Sequence, residues 1–242
     1  MKIAVITDNK REYTRDNCEA VFFSSKDRAY PELWSEFDAA FLLAPYGEYA
    51  LENWTGHPHL RSVKSLTELD EYVSLILENL EIEKKFLVEY PDIEKLEKYH
   101  PFKSDIEQIY LTCLNGTHRI RKRTFGDNTV YYETLKIRRT GTVCHEYEQV
   151  IDAETYTELK KRQEEGRRPI VKSRYCFMYE NQYFELDLYD FWDDKATLEL
   201  ELKSEKQLIK LPPEIKLIRD VSNDHRFKNH HLARIGYEDY KA

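Results

Sequence analysis

Charged residues recur at alternate positions in Glu81-Ile82-Glu83-Lys84-Lys85-Phe86-Leu87-Val88. In an extended strand successive side chains point to opposite faces, so Glu81, Glu83 and Lys85 share one face and Ile82, Phe86 and Val88 the other. Two carboxylates and an ammonium on one face can hold a hard divalent cation and an anionic group together. A single such strand matches any half-buried strand of a sheet, whose solvent face is polar. The later strands carry more information.

Alternate positions collect Arg119, Arg121 and Arg123, then Thr134, Lys136 and Arg138 opposite Leu135 and Ile137. Glu146 and Glu148 follow, then Lys172 and Arg174. Glu185 and Asp187 lie opposite Phe184, Leu186 and Leu188, and Glu199 and Glu201 opposite Leu198, Leu200 and Leu202. Ordinary exposed faces mix Thr, Ser, Gln and Lys, whereas these are almost wholly charged, with basic and acidic strands in separate blocks. Surface ion pairs add little stability, which leaves their number unexplained. A closed barrel with these faces inward would be a tunnel for a polyanion and its metals. Arginine forks and lysine ammonium groups neutralise phosphate oxygens. Mg²⁺ or Mn²⁺ takes oxygen ligands from a few carboxylates plus substrate phosphates. Phosphoryl transfer then needs in-line positioning, charge neutralisation and an oriented water.

The elements that must position these residues follow from the same periodicity. Strands are expected near 81–89, 106–114, 117–125, 129–139, 142–151, 170–179, 182–190, 196–203 and 215–221, with hairpin signals at Asn115-Gly116 and Gly126-Asp127-Asn128. A helix is expected over 153–165, with Asp152 as its N-cap and Gly166 just past its end. Many strands joined by short turns imply an antiparallel barrel or sandwich. Before residue 80, strands at 2–7, 20–23 and 37–44 precede a loop with Pro45, Gly47, Gly56 and Pro58. A helix then starts at Ser65, with Glu68 at capping-box spacing and a stripe of Leu66, Leu69, Val73, Ile76 and Leu80. This reads as a small α/β unit over 1–79 ahead of a β-rich domain over 80–242. No GxxxxGK[ST] motif is present to cradle a nucleotide phosphate.

Composition bounds the class. The 242 residues suffice for one large or two small domains, and 13% aromatics argue for a folded chain despite 34% charged residues. The 37 basic residues against 45 acidic ones give a net charge of −8, without the surplus of a general nucleic-acid binder. Cys18, Cys113, Cys144 and Cys176 lack zinc-site spacing and fit reduced thiols. No apolar run is long enough to span a bilayer. A cytoplasmic protein is expected.

The ordered series resembles the CYTH family, also called triphosphate tunnel metalloenzymes. Glu81-x-Glu83-x-Lys85 is similar to its opening ExExK signature. The likeness continues through Arg119-x-Arg121, Thr134-Leu135-Lys136, Glu146-x-Glu148, Lys172-x-Arg174, Phe184-Glu185-Leu186-Asp187 and Glu199-x-Glu201. The segment 219–224, Lys228-Asn229 and Leu232-Ala233 resemble the family's ending, so the resemblance covers about 80–235. It implies an α+β protein with an eight-stranded antiparallel β-tunnel. Lys85, Arg119, Arg121, Lys136 and Arg174 would grip the triphosphate, with Arg123, Arg138 and Lys172 as further cations. Glu81, Glu83, Asp187, Glu199 and Glu201 would hold one or two ions of Mg²⁺ or Mn²⁺, and Glu81, Glu83, Lys85 and Glu201 would be catalytic. Glu146, Glu148 and Glu185 would support the ligands or position water. Cys144 departs from the family, which often carries an Arg ahead of its ExE pair.

The implied activity is hydrolysis of inorganic tripolyphosphate or a nucleoside or thiamine triphosphate, with water attacking the terminal phosphoryl group. Alternatives are a class IV-type adenylate cyclase, or a non-catalytic module binding nucleotides or phosphoinositides. A homodimer is left open. At the N-terminus, 37–40, 56–59 and the helix after Ser65 resemble the end of a P-loop kinase-like domain that has lost its nucleotide-binding half.

Three further features read as structural. His57 with His59 and His230 with His231 lack partners that would complete a metal set. Trp34, Trp54 and Trp192 fit core and rim packing rather than base stacking. Lys160, Lys161, Arg162, Arg167 and Arg168 fit a solvated face, with a basic lip attracting polyphosphate as the sharper alternative.

Overall fold

A computed structural model describes residues 1–234 except positions 10, 28–30, 35, 58, 79, 115, 139–142 and 205. Short apolar runs at the start of the chain build a parallel sheet. It comprises β1 (Lys2–Ile6), β2 (Glu19–Phe23), β3 (Ala39–Leu43) and β4 (Leu60–Val63), in the order β2-β1-β3-β4. Strands β1 and β3 are buried runs, as a parallel sheet covered on both faces requires. Helices α1 (Pro31–Trp34), α2 (Glu48–Trp54) and α3 (Leu66–Leu77) complete this unit. As expected, Ser65 caps α3, its Oγ accepting the Glu68 N–H at 3.2 Å. Leu69, Tyr72 and Val73 of α3 join Phe41, Leu43 and Val63 in one core. The segment expected as a loop contains α2 and β4; β4 has only four residues and carries Arg61 and Ser62, so periodicity does not reveal it.

From residue 80 the chain alternates. The strands are β5 (Leu80–Glu89), β6 (Phe102–Leu111), β7 (Thr117–Phe125), β8 (Asn128–Arg138), β9 (Val143–Ile151), β10 (Ile170–Tyr179), β11 (Gln182–Tyr189), β12 (Lys195–Glu201) and β13 (Leu217–Asp220). Helices α4 (Ile93–Leu96), α5 (Ala153–Lys160) and α6 (Asn229–Leu232) lie between and after them. Every pairing is antiparallel. The order β12-β11-β10-β6-β7-β8-β9-β5 closes through β5–β12 into the expected eight-stranded tunnel. β9 pairs with β5 only at residues 80–82, and β13 takes the same edge beyond it. The β10–β11 turn has Glu180 and Asn181 both at positive φ, 50° and 58°, the signature of a type I′ hairpin.

Two elements, α5 and β6, depart most from their expected bounds. Asp152 caps α5, accepting the Thr155 N–H at 2.6 Å, but the helix stops at Lys160 rather than near 165. The chain there returns to the end of β6: Thr112 N–H donates to Arg162 O at 3.2 Å and Glu164 N–H to Tyr110 O at 2.8 Å. Gly166, at φ 76°, serves that later turn and not the helix end. Strand β6 likewise starts at Phe102, immediately after Pro101, and ends at Leu111 rather than at 114.

The outer face of β5 and β10–β12 is apolar. Phe86, Val88, Leu186, Leu198 and Leu200 are buried against α4 and the segment carrying Ile209, Leu211 and Ile215. A second apolar seam joins the two units: Trp34, Phe37 and Trp54 pack with Phe125, Cys176, Met178 and Tyr183. Gly56 permits this approach, since a Cβ there would collide with the Trp34 ring and lie 2.7 Å from Phe102. The Tyr183 hydroxyl donates to Thr55 O at 2.9 Å across the seam. Among the described residues no helix is long and apolar enough to cross a membrane.

Candidate active site

With the apolar face turned outward, the alternation sends the charged residues inward. They surround a cavity of about 570 Å³, lined among others by Glu83, Lys85, Arg119, Arg121, Lys136 and Glu201.

The wall formed by β5 and β10–β12 is densely paired. Arg174 Nε and Nη2 donate to Oδ1 and Oδ2 of Asp187, both at 2.7 Å, and Nη2 also reaches Glu199 at 3.1 Å. Arg174 further pairs with Glu185, and Lys172 with Asp187. Lys85 Nζ meets Glu199 at 2.7 Å and the Tyr189 hydroxyl at 3.5 Å. Asp187 is 0% exposed, Lys85 2% and Lys172 3%. Burial opposes each charge, but the partners outweigh it. Glu199 is held well below the usual carboxylate range by Lys85 and Arg174, and Asp187 is lowered by Arg174 and Lys172. Lys172 is the exception: burial and the neighbouring Arg174 push its ammonium down to about 8, because Arg174 already engages both oxygens of their shared carboxylate.

The wall formed by β7–β9 is looser. Arg119 meets Glu146 at 3.0 Å, Lys136 meets Glu146 at 3.1 Å and Glu83 at 3.8 Å, and Arg121 approaches Glu148 at 3.9 Å. Thr134, fully buried, donates its hydroxyl to Glu148 at 2.7 Å. Burial and the adjacent Arg119 hold the Arg121 guanidinium below its usual range. Burial opposes ionisation of Glu148, yet Arg121 and His59 outweigh it and bring the carboxyl to about 2.

The structure thus brings together Glu83, Lys85, Arg119, Arg121, Lys136, Glu146, Glu148, Glu185, Glu199, Glu201 and Arg174 around one space. Asp187 and Lys172 stand behind Arg174, as supports of the wall. Arg123 also lines this cavity, at its seam end, with its guanidinium 3.0 Å from Ser104 Oγ and 5.6 Å from the centre of the Phe102 ring. The side chains of Glu81, Arg138 and Cys144, and residue Asn115, lie outside the described residues. His57 is a core residue, 0% exposed, with Nε2 3.3 Å from Phe37 O and burial bringing it to about 3.

Several cavity residues escape periodicity, Lys228, His59 and Arg61 among them. Lys228, from the segment after β13, meets Glu83 at 2.7 Å; with Lys136 it outweighs burial and holds Glu83 below the usual carboxylate range. His59 and Arg61 enter from the N-terminal unit. Lys228 could be found from its place in the family's ending; His59 and Arg61 carry no comparable sequence signal.

The carboxylates offer hard oxygen donors, and Glu83 and Glu201 stand opposite one another in register on β5 and β12, with Glu199 two residues away. This chemistry fits Mg²⁺ or Mn²⁺. Among the described residues, no three acidic, His or Cys side chains are already gathered at metal-holding distance, because cations of the chain stand between them. Glu83 is held by Lys228, Glu199 by Lys85, and Glu201 by Arg61.

Comparison with known proteins bears on the same part of the chain. The model of the CYTH domain matches residues 79–221. Among solved structures, the inorganic triphosphatase NE1496 is 32% identical, over 63% of this chain and 93% of that one, with a TM-score of 0.42. The PH1819 protein of Pyrococcus horikoshii OT3 is 23% identical, over 52% and 80%, with a TM-score of 0.39. HpAC1 from Hippeastrum, an adenylyl cyclase candidate described as revealing a dominant triphosphatase activity, is 16% identical, over 51% and 80%, with a TM-score of 0.38. No curated protein matches the chain.

Proposed function

The chain belongs to the CYTH domain family, and from that premise we propose that it is a divalent-metal-dependent phosphohydrolase acting on triphosphates. The observation that carries this reading is the division of the cavity lining. Arg119, Arg121 and Lys136 face the space from one side, and Glu83, Glu199 and Glu201 border it from the other. A linear triphosphate needs both, because neither cations alone nor carboxylates alone suit an anion that arrives with a metal.

Arg119 and Arg121 bind phosphate oxygens through their forks, and Lys136 adds a compact charge. Arg174, clamped by Asp187, holds that side of the cavity rigid and borders the chain of phosphates. Lys85 fixes Glu199, and Lys228 fixes Glu83. Glu83, Glu199 and Glu201, with Glu81 on the same strand, are the groups that would hold Mg²⁺ or Mn²⁺. When bound, such an ion neutralises charge on the phosphates and lowers the pKa of water. Glu148 and Glu146 accept hydrogen bonds and can orient the attacking water. Water adds to the terminal phosphorus as the bond to the bridging oxygen breaks, leaving orthophosphate and a diphosphate-terminated product.

The substrate class is triphosphates: inorganic tripolyphosphate, or a nucleoside or thiamine triphosphate. Incubation with ATP and Mg²⁺ or Mn²⁺ tests the reaction type. Hydrolysis gives ADP and phosphate. Cyclic AMP with pyrophosphate would mean that the ribose 3′-hydroxyl replaces water, and tight binding of ATP, tripolyphosphate and thiamine triphosphate without products from any of them would mean a binding module; either overturns the hydrolase reading.

A further inference from the structure

The N-terminal unit does more than dock on the tunnel. Strand β4 is buried along its length, and it carries an arginine, Arg61, with a relative exposure of 7%. Its Nη1 donates to the carbonyl of Leu60 at 2.7 Å, and its Nη2 pairs with the carboxylate of Glu201 at the end of β12. Two residues earlier, His59 Nε2 lies 3.4 Å from Glu148 Oε1. Both side chains border the same cavity as Arg121 and Lys136.

A buried guanidinium is a poor choice for docking alone. Replacing a buried ion pair by apolar residues of similar size is often neutral or stabilising. The apolar seam around Trp34 and Trp54 already joins the units. Glu201 supplies a different reason. It stands in register with Glu83 on the neighbouring strand, where like charges facing one another are unfavourable. A cation between the unit and the tunnel offsets that repulsion and fixes Glu201 at the cavity. The same guanidinium adds a planar donor fork to a space lined by phosphate-binding groups.

We propose that Arg61 makes the N-terminal unit part of the active site, as a positioning residue that holds Glu201 and strengthens binding of the phosphate chain. This rests on the triphosphate reading above. The test compares native protein with Arg61→Ala, Arg61→Lys and Arg61→Gln. A docking control is Glu68→Gln, which weakens the ion pair between Glu68 of this unit and Lys203 of the tunnel domain and keeps a side-chain oxygen for the Lys64 N–H. Tripolyphosphate binding is measured calorimetrically in EDTA, alongside KM, kcat and thermal midpoint.

The expected result for Arg61→Ala is binding weaker by about tenfold with a matching rise in KM, the scale of one charged hydrogen bond. Arg61→Lys should recover part of that loss, and the thermal midpoint should move no further than in Glu68→Gln. Arg61→Gln keeps length and a polar head and replaces the alanine variant if that fails to fold. Unchanged binding in Arg61→Ala or Arg61→Gln, or an equal loss in Glu68→Gln, overturns the inference. If native protein binds and hydrolyses tripolyphosphate while the Arg61 variants match it, only Arg61's role falls. If native protein does neither, the triphosphate reading falls first.

Discussion

The two walls of the tunnel are written in the same alternation of charged and apolar residues, yet their charges face different things. Along β10–β12, Arg174 is clamped by Asp187 through two bonds of 2.7 Å, and Lys85 and Lys172 are almost wholly enclosed. Across the cavity, Arg121 stands 3.9 Å from Glu148, and Lys136 divides itself between Glu146 at 3.1 Å and Glu83 at 3.8 Å. One wall is a self-neutralised scaffold; the other keeps cations turned toward the space where an anion would lie. The difference shows that an alternating charged strand is not by itself a binding surface. How fully its partners close around it decides.

The comparison can be broken by mutation. The largest effect is expected between the walls: Glu83→Gln should lower turnover of tripolyphosphate by about a thousandfold or more, the loss of roughly 4 kcal/mol of transition-state stabilisation. Its far-ultraviolet circular dichroism should stay native, and undiminished turnover would remove Glu83 from the catalytic set. Asp187→Ala removes the carboxylate that two buried cations, Lys172 and Arg174, share, and unfolding in urea should show a loss of about 3–5 kcal/mol. Arg121→Ala should do the reverse. Tripolyphosphate affinity should fall by about ten- to a hundredfold, the scale of charge-assisted bonds, while stability changes by under about 1 kcal/mol. If Arg121→Ala unfolds the protein and Asp187→Ala does not, the distinction between the walls is wrong.

The smallest effect concerns pH. Glu148 is held at about 2 against an ordinary 4.5, so its folded state binds fewer protons than its unfolded state between those values. Its contribution to stability is therefore complete above about 4.5 and lost as pH falls toward 2. Urea midpoints of native protein and Glu148→Gln should converge over that interval, and parallel curves would contradict the assigned shift.

Much of this was legible in the residues. Alternation located eight tunnel strands to within a few positions, because a one-residue slip would turn every charged side chain to the apolar face. Glu83, Lys85, Arg119, Arg121, Lys136, Glu199 and Glu201 were all placed on the inner face by that rule. Alternation says which face a side chain takes but not what meets it there. It could not separate Arg174, clamped by its carboxylates, from Arg121, which meets Glu148 only at 3.9 Å. Nor could it reach Arg61, whose strand is too short for a period and whose partner lies 140 positions away in the chain, a contact made by the docking of two units. The end of α5 was missed for a related reason. A helical pattern persists past Lys160, but tertiary bonds to β6 capture the chain first.

The most direct test of the account is release of phosphate from inorganic tripolyphosphate by the purified protein with Mg²⁺ or Mn²⁺, set against the same mixture in EDTA. Metal-dependent release of one orthophosphate and one pyrophosphate per tripolyphosphate is the predicted result. No release with either metal, from tripolyphosphate or from ATP or thiamine triphosphate in its place, would contradict the claim that this tunnel is a triphosphatase site.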